Sequence, residues 1–433
     1  MSIFKAYDIR GKYPEEVNEE IFSKIAKTCI KLFKPKKVLI GRDGRMGSES
    51  LANSLINTFL FYGVNVCFLG EVSTSTFNFA MINGNFDLHL QVTASHNPKE
   101  YNGLKIYDKF KNLIILNENE IIDNLEISLN EKGKLEDGSY YKNKHLFFLK
   151  EKSNFKNLKF AVDFSNGVGS IVFYDLIKNE NCIILNKNID GNFPCHEPEP
   201  NKENLKELSK VIKENKLDFG IAFDGDADRI VFLDENGEII DGELISYIFI
   251  KYLNPKKFVY EVSFSEFFKE ELKKRKIVGL ETAVGRTLLN KVKQENADIG
   301  AERSNHFYFK ECNYLEDAFY TFIKISNILF LENKKISELY SDYPKIFFEN
   351  CKIKINENNK KEIINTIEEY SKKYKTEKLD GIKFIFDDLS TCLIRFSNTE
   401  PILRISISGK LENFSKIKEF TNEIISLIEK FKN

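Results

Sequence analysis

The chain has 433 residues, 42% of them hydrophobic and 30% charged, with 64 basic against 65 acidic side chains. That length exceeds one ordinary core and, at about 150 residues per domain, points to roughly three domains, while the even charge balance gives no global sign of nucleic acid or membrane. Seven cysteines, an odd number without a C-x-x-C pair, read as reduced thiols; the start "MSIFKAYDIRGKYPEE" has acidic residues where a signal peptide would need an apolar core, so none is expected, and the longest apolar stretch, "LISYIFIKYL", is too short to span a bilayer. A cytoplasmic protein is expected.

An apolar run that ends abruptly in Gly or Asp first appears in "KKVLIGRDGR", and the helical spacing of "SESLANSLINTFLFYG" follows it. The same theme is read in "LKFAVDFSNGVGS" and "LDFGIAFDGDADR". Strand, polar loop, helix is the grammar of α/β domains, whose ligands sit beyond the carboxyl ends of strands. A charged, turn-rich stretch over 126–158 places a first boundary near 146, and the "DENGE" turn at 234–238 a second. After 343 the pattern changes to "FFENCKIKINENN", a helical "KKEIINTIEEYSKKY", three strand-like runs and a last amphipathic helix, which predicts a small α+β domain. The predicted domains are therefore 1–146, 147–238, 239–342 and 343–433.

The sharpest chemical signal is "FDGDADRIVF", which sets Asp224, Asp226 and Asp228 at every second position. Three carboxylates so close repel one another unless a cation sits among them, which suits Mg²⁺ or Ca²⁺. An EF-hand loop requires Gly at its sixth position, and here that position is Arg229, followed by the strand-like "IVFL". Downstream, "RFSNTEPILR" joins the Arg395 fork to the short donors Ser397, Asn398 and Thr399, equipment for a phosphate or an ordinary surface turn. In "GAERSNHFYF" the alternation of Glu302, Ser304 and His306 would put all three on one face of an extended segment, either for polyol hydroxyls or as a plain polar strand end.

"QVTASHNPKEYNG" places Ser95 directly beside His96. Neighbours on an extended loop point to opposite sides, so His96 is poorly placed as a triad base for Ser95, and no G-x-S-x-G elbow is present.

Taken together, "TASHNPKEYNGLK", "DGDADR", "AERSNH" and "RFSNTEP" resemble the α-D-phosphohexomutases, in that family's order and with roughly its spacing. "FKAYDIRG", "GRDGR", "DFSNGVG" and "DGNFPCHEPEPNKENL" extend the resemblance over nearly the whole chain, and "AYDIRG" and "NFPCHEPEP" are most similar to the phosphomannomutase/phosphoglucomutase branch. The resemblance implies three related α/β domains with mixed sheets and a smaller C-terminal α+β domain around a central cleft. It implies that Ser95 carries a phosphoryl group beside Mg²⁺ held by Ser95, Asp224, Asp226 and Asp228. Arg10, His96, Lys105 and Arg229 would surround that phosphate, with Lys105 brought back by an Asn102–Gly103 turn. Tyr7 would line the site, Glu302, Ser304 and His306 would meet the sugar, and Arg395, Ser397, Asn398 and Thr399 would take the second phosphate.

The implied reaction interconverts hexose 6- and 1-phosphates of mannose or glucose through a 1,6-bisphosphate, which also serves as activator. Phosphoglucosamine mutase and a catalytically silent sugar-phosphate binder on the same fold are the alternatives. The expected partners are small sugar phosphates, with neither nucleic acid nor membrane, and the protein is a monomer or dimer. Three departures stand out from the family's usual G-E-x-S-G-H loop and from a lysine common in relatives: Ala301, Asn305 and Ala283.

Overall fold

The computed structural model describes residues 2–5, 8–126, 131–285, 287–396 and 402–431. The chain divides into two compact units, one of residues 1–241 with 304–338, the other of 242–303 with 339–433. Among the described residues no helix is long and apolar enough to cross a membrane.

The first unit holds two mixed sheets. One runs Ile9–Lys12, Tyr101–Asp108, Leu88–Val92, Lys37–Arg42, Asn65–Glu71, Leu135–Asp137. Lys37–Arg42 is parallel to both of its neighbours, whereas Tyr101–Asp108 is antiparallel to Leu88–Val92. Helix Glu19–Phe33 covers this sheet because Phe22, Ile25, Ala26 and Cys29 fall on one stripe and are buried in its core. It begins cleanly at Asn18, whose side chain accepts from the Ile21 N–H (3.1 Å) and so satisfies an amide that the first turn leaves unpaired.

The second sheet runs Ile239–Ile240, Ile230–Leu233, Phe219–Phe223, Phe160–Asp163, Cys182–Leu185. Phe160, Phe219 and Phe223 meet Phe173 of helix Ser170–Ile177 and Phe319 and Phe322 of helix Ala318–Glu332 in one aromatic core, with Phe173 and Phe322 edge to face at 4.9 Å. That packing is why residues 304–338 join the first unit. The strand-like "IVFL" after the aspartates is a strand, in place of the helix that the strand, loop, helix theme would put there: Phe219–Phe223 continues into the antiparallel Ile230–Leu233, with Ile230 opposite Phe223, so the aspartates occupy a hairpin loop.

In the second unit, parallel strands lie in the order Val278–Thr282, Lys257–Glu261, Ile299–Ala301. The C-terminal sheet is antiparallel throughout, in the order Ile346–Lys354, Ile402–Lys410, Thr391–Phe396, Ile382–Ile385, Thr376–Glu377. Helices Lys360–Ser371 and Phe414–Ile428 bury Ile363, Ile367, Ile417, Phe420 and Ile424 against Phe384, Ile394, Leu403 and Ile405. The molecule thus has three α/β domains with mixed sheets and a fourth, sheet-rich C-terminal domain.

Candidate active site

Ser95 lies in the loop after strand Leu88–Val92, buried, with φ of 51° in the left-handed region. A side chain in that region costs about 1–2 kcal/mol, so the loop needs external support. Thr93 Oγ1 accepts from the Ser95 N–H (2.9 Å). Arg45 donates to the carbonyls of Ser95 (2.6 Å), Asn97 (2.5 Å), Pro98 (2.9 Å) and Tyr101 (3.2 Å). Its guanidinium lies 5.0 Å from the ring centroid of Phe193 and 3.4 Å from Asp43. Arg45 was not singled out from the sequence; its only signal was its place in "GRDGR" after a strand.

The Ser95 hydroxyl donates to Asp224 Oδ2 (2.8 Å) and lies 3.5 Å from Asp228 Oδ1. It also stands 3.2 Å from His96 Nδ1. The expectation that adjacency would hold Ser95 and His96 apart is overturned, because the loop is turned at a left-handed Ser95 rather than extended. A triad still does not follow. Burial and the nearby cations Arg229 and Arg10 hold the His96 pKa well below its usual value, the opposite of a base sustained by a carboxylate behind it.

Asp224, Asp226 and Asp228 are buried and offer one oxygen each within 4.8 Å of one another. Asp226 Oδ2 accepts from Thr74 Oγ1 (2.8 Å), Thr93 Oγ1 (3.1 Å) and Lys105 Nζ (3.0 Å), whereas Asp226 Oδ1 is buried with no hydrogen-bond partner among the described residues. Lys105 also reaches Asp228 Oδ2 at 2.7 Å. Burial would lower the Lys105 pKa, but the two aspartates carry it well above the ordinary value. Asp224 is pushed well up by burial and by repulsion from Asp228 and Asp226; Asp228, equally buried, is held well down by Lys105 and His306. One lysine therefore leaves the trio short of positive charge, and an all-oxygen donor set with an orphaned carboxylate oxygen fits a hard divalent cation. A second acidic trio, Glu266, Glu281 and Glu377, differs: Lys269 sits 2.9, 3.0 and 2.9 Å from its members and already neutralises it.

Lys105 arrives by a route the sequence did not suggest. Asn102 and Gly103 form no turn; they lie inside strand Tyr101–Asp108, which sets Lys105 opposite Gln91. Gly103 is needed because a Cβ there would stand 2.3 Å from the Ile9 carbonyl, where strand Ile9–Lys12 passes. That strand delivers Arg10, which donates to Asn97 Oδ1 (2.7 Å) and pairs with Asp8. The stretch 303–305 is likewise turned rather than extended. His306 Nε2 lies 3.2 Å from Asp228 Oδ1 and 3.4 Å from Arg229 Nε, and its Nδ1 is 2.9 Å from Ser304 Oγ. Asn305 has φ of 70°, the left-handed geometry that glycine would give, and Ala301 ends a strand where no glycine is required.

In the second unit Glu302 is buried near Glu261, whose carboxyl is raised to about 7 by burial and by Glu302. Arg395, at the end of strand Thr391–Phe396, is 4.0 Å from Asp380, and Asp380 accepts from the Val284 N–H at 3.0 Å. Tyr7, Ser397, Asn398 and Thr399 lie outside the described residues.

Family descriptions of phosphoglucomutase/phosphomannomutase α/β/α domains I, II and III match residues 1–130, 139–237 and 241–347. The phosphomannomutase of Methanocaldococcus jannaschii is 34% identical over 99% of this chain and 98% of its own. A probable phosphoglucosamine mutase of Methanosphaera stadtmanae is 31% identical over 98% of both. The crystal structure of a phosphoglucomutase/phosphomannomutase family protein from Burkholderia thailandensis superposes with a TM-score of 0.85 at 24% identity, covering 100% of this chain and 98% of that one. A serine seated among three aspartates, on this fold and with these relatives, identifies the chain as a member of the phosphoglucomutase/phosphomannomutase family of α-D-phosphohexomutases, intramolecular phosphotransferases.

Proposed function

We propose that this phosphohexomutase interconverts the 6- and 1-phosphates of mannose or glucose, with Ser95 as the phosphoryl carrier. The observation that carries the reading is the Ser95 hydroxyl held 2.8 Å from Asp224 within the cluster of Asp224, Asp226 and Asp228. In the forward half-reaction the bond between phosphorus and Ser95 Oγ breaks as a sugar hydroxyl oxygen bonds to phosphorus, giving a hexose 1,6-bisphosphate. The bisphosphate turns around, its other phosphoryl group returns to Ser95 Oγ, and a monophosphate leaves. The same bisphosphate, added from outside, would load an unphosphorylated Ser95.

Ser95, Asp224, Asp226 and Asp228 would hold Mg²⁺, which neutralises charge on the transferring phosphoryl group. Lys105 keeps a fixed positive charge against Asp226 and Asp228. Arg10 and Arg229 supply further positive charge, and the hydrogen bond from Arg10 to Asn97 anchors its side chain to the Ser95 loop. His96, 3.2 Å from Ser95 Oγ, would stabilise charge or relay a proton beside the transferring phosphoryl group. Glu302 and Ser304, with His306 alongside, would accept the sugar hydroxyls. Arg395, Ser397, Asn398 and Thr399 would hold the phosphate that is not reacting, with Tyr7 lining the site.

The relative named as a phosphoglucosamine mutase supports a second reading, in which the 2-amino sugar is the substrate. Comparing kcat/KM for mannose, glucose and glucosamine 1-phosphates tests both. Preference for either neutral sugar supports the main reading, and preference for glucosamine 1-phosphate replaces it with the second.

A further inference from the structure

Arg303 lies between two residues proposed for sugar recognition, Glu302 and Ser304, yet its side chain is buried. Its guanidinium pairs with Glu243, in the first turn of helix Gly242–Tyr252, and lies 3.8 Å from the ring centroid of Phe348. Glu243 is 1% exposed and also accepts from the Ser265 N–H (2.7 Å), the Ser265 hydroxyl (2.5 Å) and the Tyr343 hydroxyl (2.6 Å). The backbone is held as firmly. The Arg303 N–H donates to Glu261 Oε1 (3.2 Å), and Gly242 presses so close that a Cβ there would stand 2.6 Å from the Glu302 carbonyl and 2.9 Å from that of Arg303.

A desolvated Arg–Glu pair adds little stability over apolar residues of the same volume, so its contribution here is geometric. The planar guanidinium matches a carboxylate on one side and a ring on the other, and each fixes it in a different direction. Phe348 belongs to strand Ile346–Lys354, the first strand of the sheet that carries Arg395 on Thr391–Phe396. The residue next to Glu302 is thereby pinned both to the α/β domain and to the C-terminal sheet.

We infer that Arg303 is a positioning residue for sugar recognition: clamped between Glu243 and Phe348, it fixes the Glu302 carboxylate relative to the sheet that bears Arg395. The inference rests on the mutase reading above. Replacing the ring tests it without unpairing either buried charge. Phe348→Leu removes the platform, with Phe348→Met in its place should the first fail to fold, and Phe348→Tyr restores it.

The measurement is kcat/KM for a hexose 1-phosphate and for its 3,4-dideoxy analogue, which lacks the 3- and 4-hydroxyls that Glu302 and Ser304 would take. It is made on the wild type, the Phe348 variants, Glu302→Gln and the Phe348→Leu/Glu302→Gln pair. Phe348→Leu should lower kcat/KM about tenfold with the full sugar, mainly through KM, and by less than about twofold with the analogue. Phe348→Tyr should match the wild type, and the double variant should be no worse than Glu302→Gln alone. Equal losses with both sugars, additive losses in the double variant, or no rescue by tyrosine would overturn the inference. A wild type that turns over no hexose 1-phosphate would overturn the mutase reading itself, and the inference with it.

Discussion

The Arg45 guanidinium donates at 2.6 Å to the carbonyl oxygen of Ser95, fifty positions along the chain, and spans three further carbonyls of the same loop. Those bonds offset the cost of holding Ser95 at φ of 51° and aim its hydroxyl at Asp224. Lysine keeps the charge but cannot reproduce a planar fork with several fixed donors. Arg45→Lys should therefore lower kcat roughly 10- to 100-fold with KM nearly unchanged, because the loss falls on alignment of the reacting oxygen. Steady-state kinetics beside a thermal melt check this, and an unaltered kcat in a folded variant contradicts it.

A divalent cation held by the three aspartates, as proposed above, should add to stability. Asp226 Oδ1 has no hydrogen-bond partner among the described residues, and Asp224 is pushed up by burial and by repulsion from Asp228 and Asp226, which a cation entering the cluster would offset. A ligand at a hundred times its Kd stabilises the folded state by about 2.7 kcal/mol. Mg²⁺ should raise the wild-type Tm by several degrees, and a chelator should reverse the rise. In Asp226→Asn the shift should largely vanish, while the variant without metal melts no lower than the wild type without metal. Calorimetry decides; a variant that gains as much from Mg²⁺ as the wild type does would sink the assignment.

His89, fully buried on strand Leu88–Val92 with Nδ1 3.3 Å from the Tyr107 carbonyl, gives stability an acid limit. Burial lowers its pKa to about 4, against an ordinary value near 6.5 in the unfolded chain. Between those values the unfolded state binds more protons, so this contribution is intact above pH 6.5 and is lost as pH falls toward 4. The loss amounts to about 3 kcal/mol. His89→Gln should flatten that decline relative to the wild type in urea denaturation at pH 7, 5.5 and 4. Parallel declines in the two proteins would show that His89 does not titrate as described.

Contiguous signals were legible in the sequence: the aspartate cluster with the strand-like "IVFL" after it, and the change of pattern after 343 that marks the sheet-rich C-terminal domain. What escaped was set by chain passing close from elsewhere. Gly103 signalled a turn, yet its reason is the Ile9 carbonyl 2.3 Å from where a Cβ would stand. Ser95 and His96 were read as pointing apart, which holds only for extended backbone and not at φ of 51°. Alternation in "ERSNH" suggested an extended segment, but the left-handed Asn305 turns the chain there, and His306 lies 3.2 Å from Asp228. Arg45 could not be assigned a role because the carbonyls it holds lie some fifty residues away.

The proposed mechanism requires the Ser95 hydroxyl to carry the phosphoryl group. Intact and peptide mass measurement after incubation with glucose 1,6-bisphosphate and Mg²⁺ tests this most directly, with Ser95→Ala as the control. The expected result is one added phosphoryl group on the peptide containing Ser95, its removal on addition of hexose monophosphate, and neither event in Ser95→Ala. Mutase turnover in the wild type with no phosphoryl group on that peptide, or full turnover by Ser95→Ala, would contradict it.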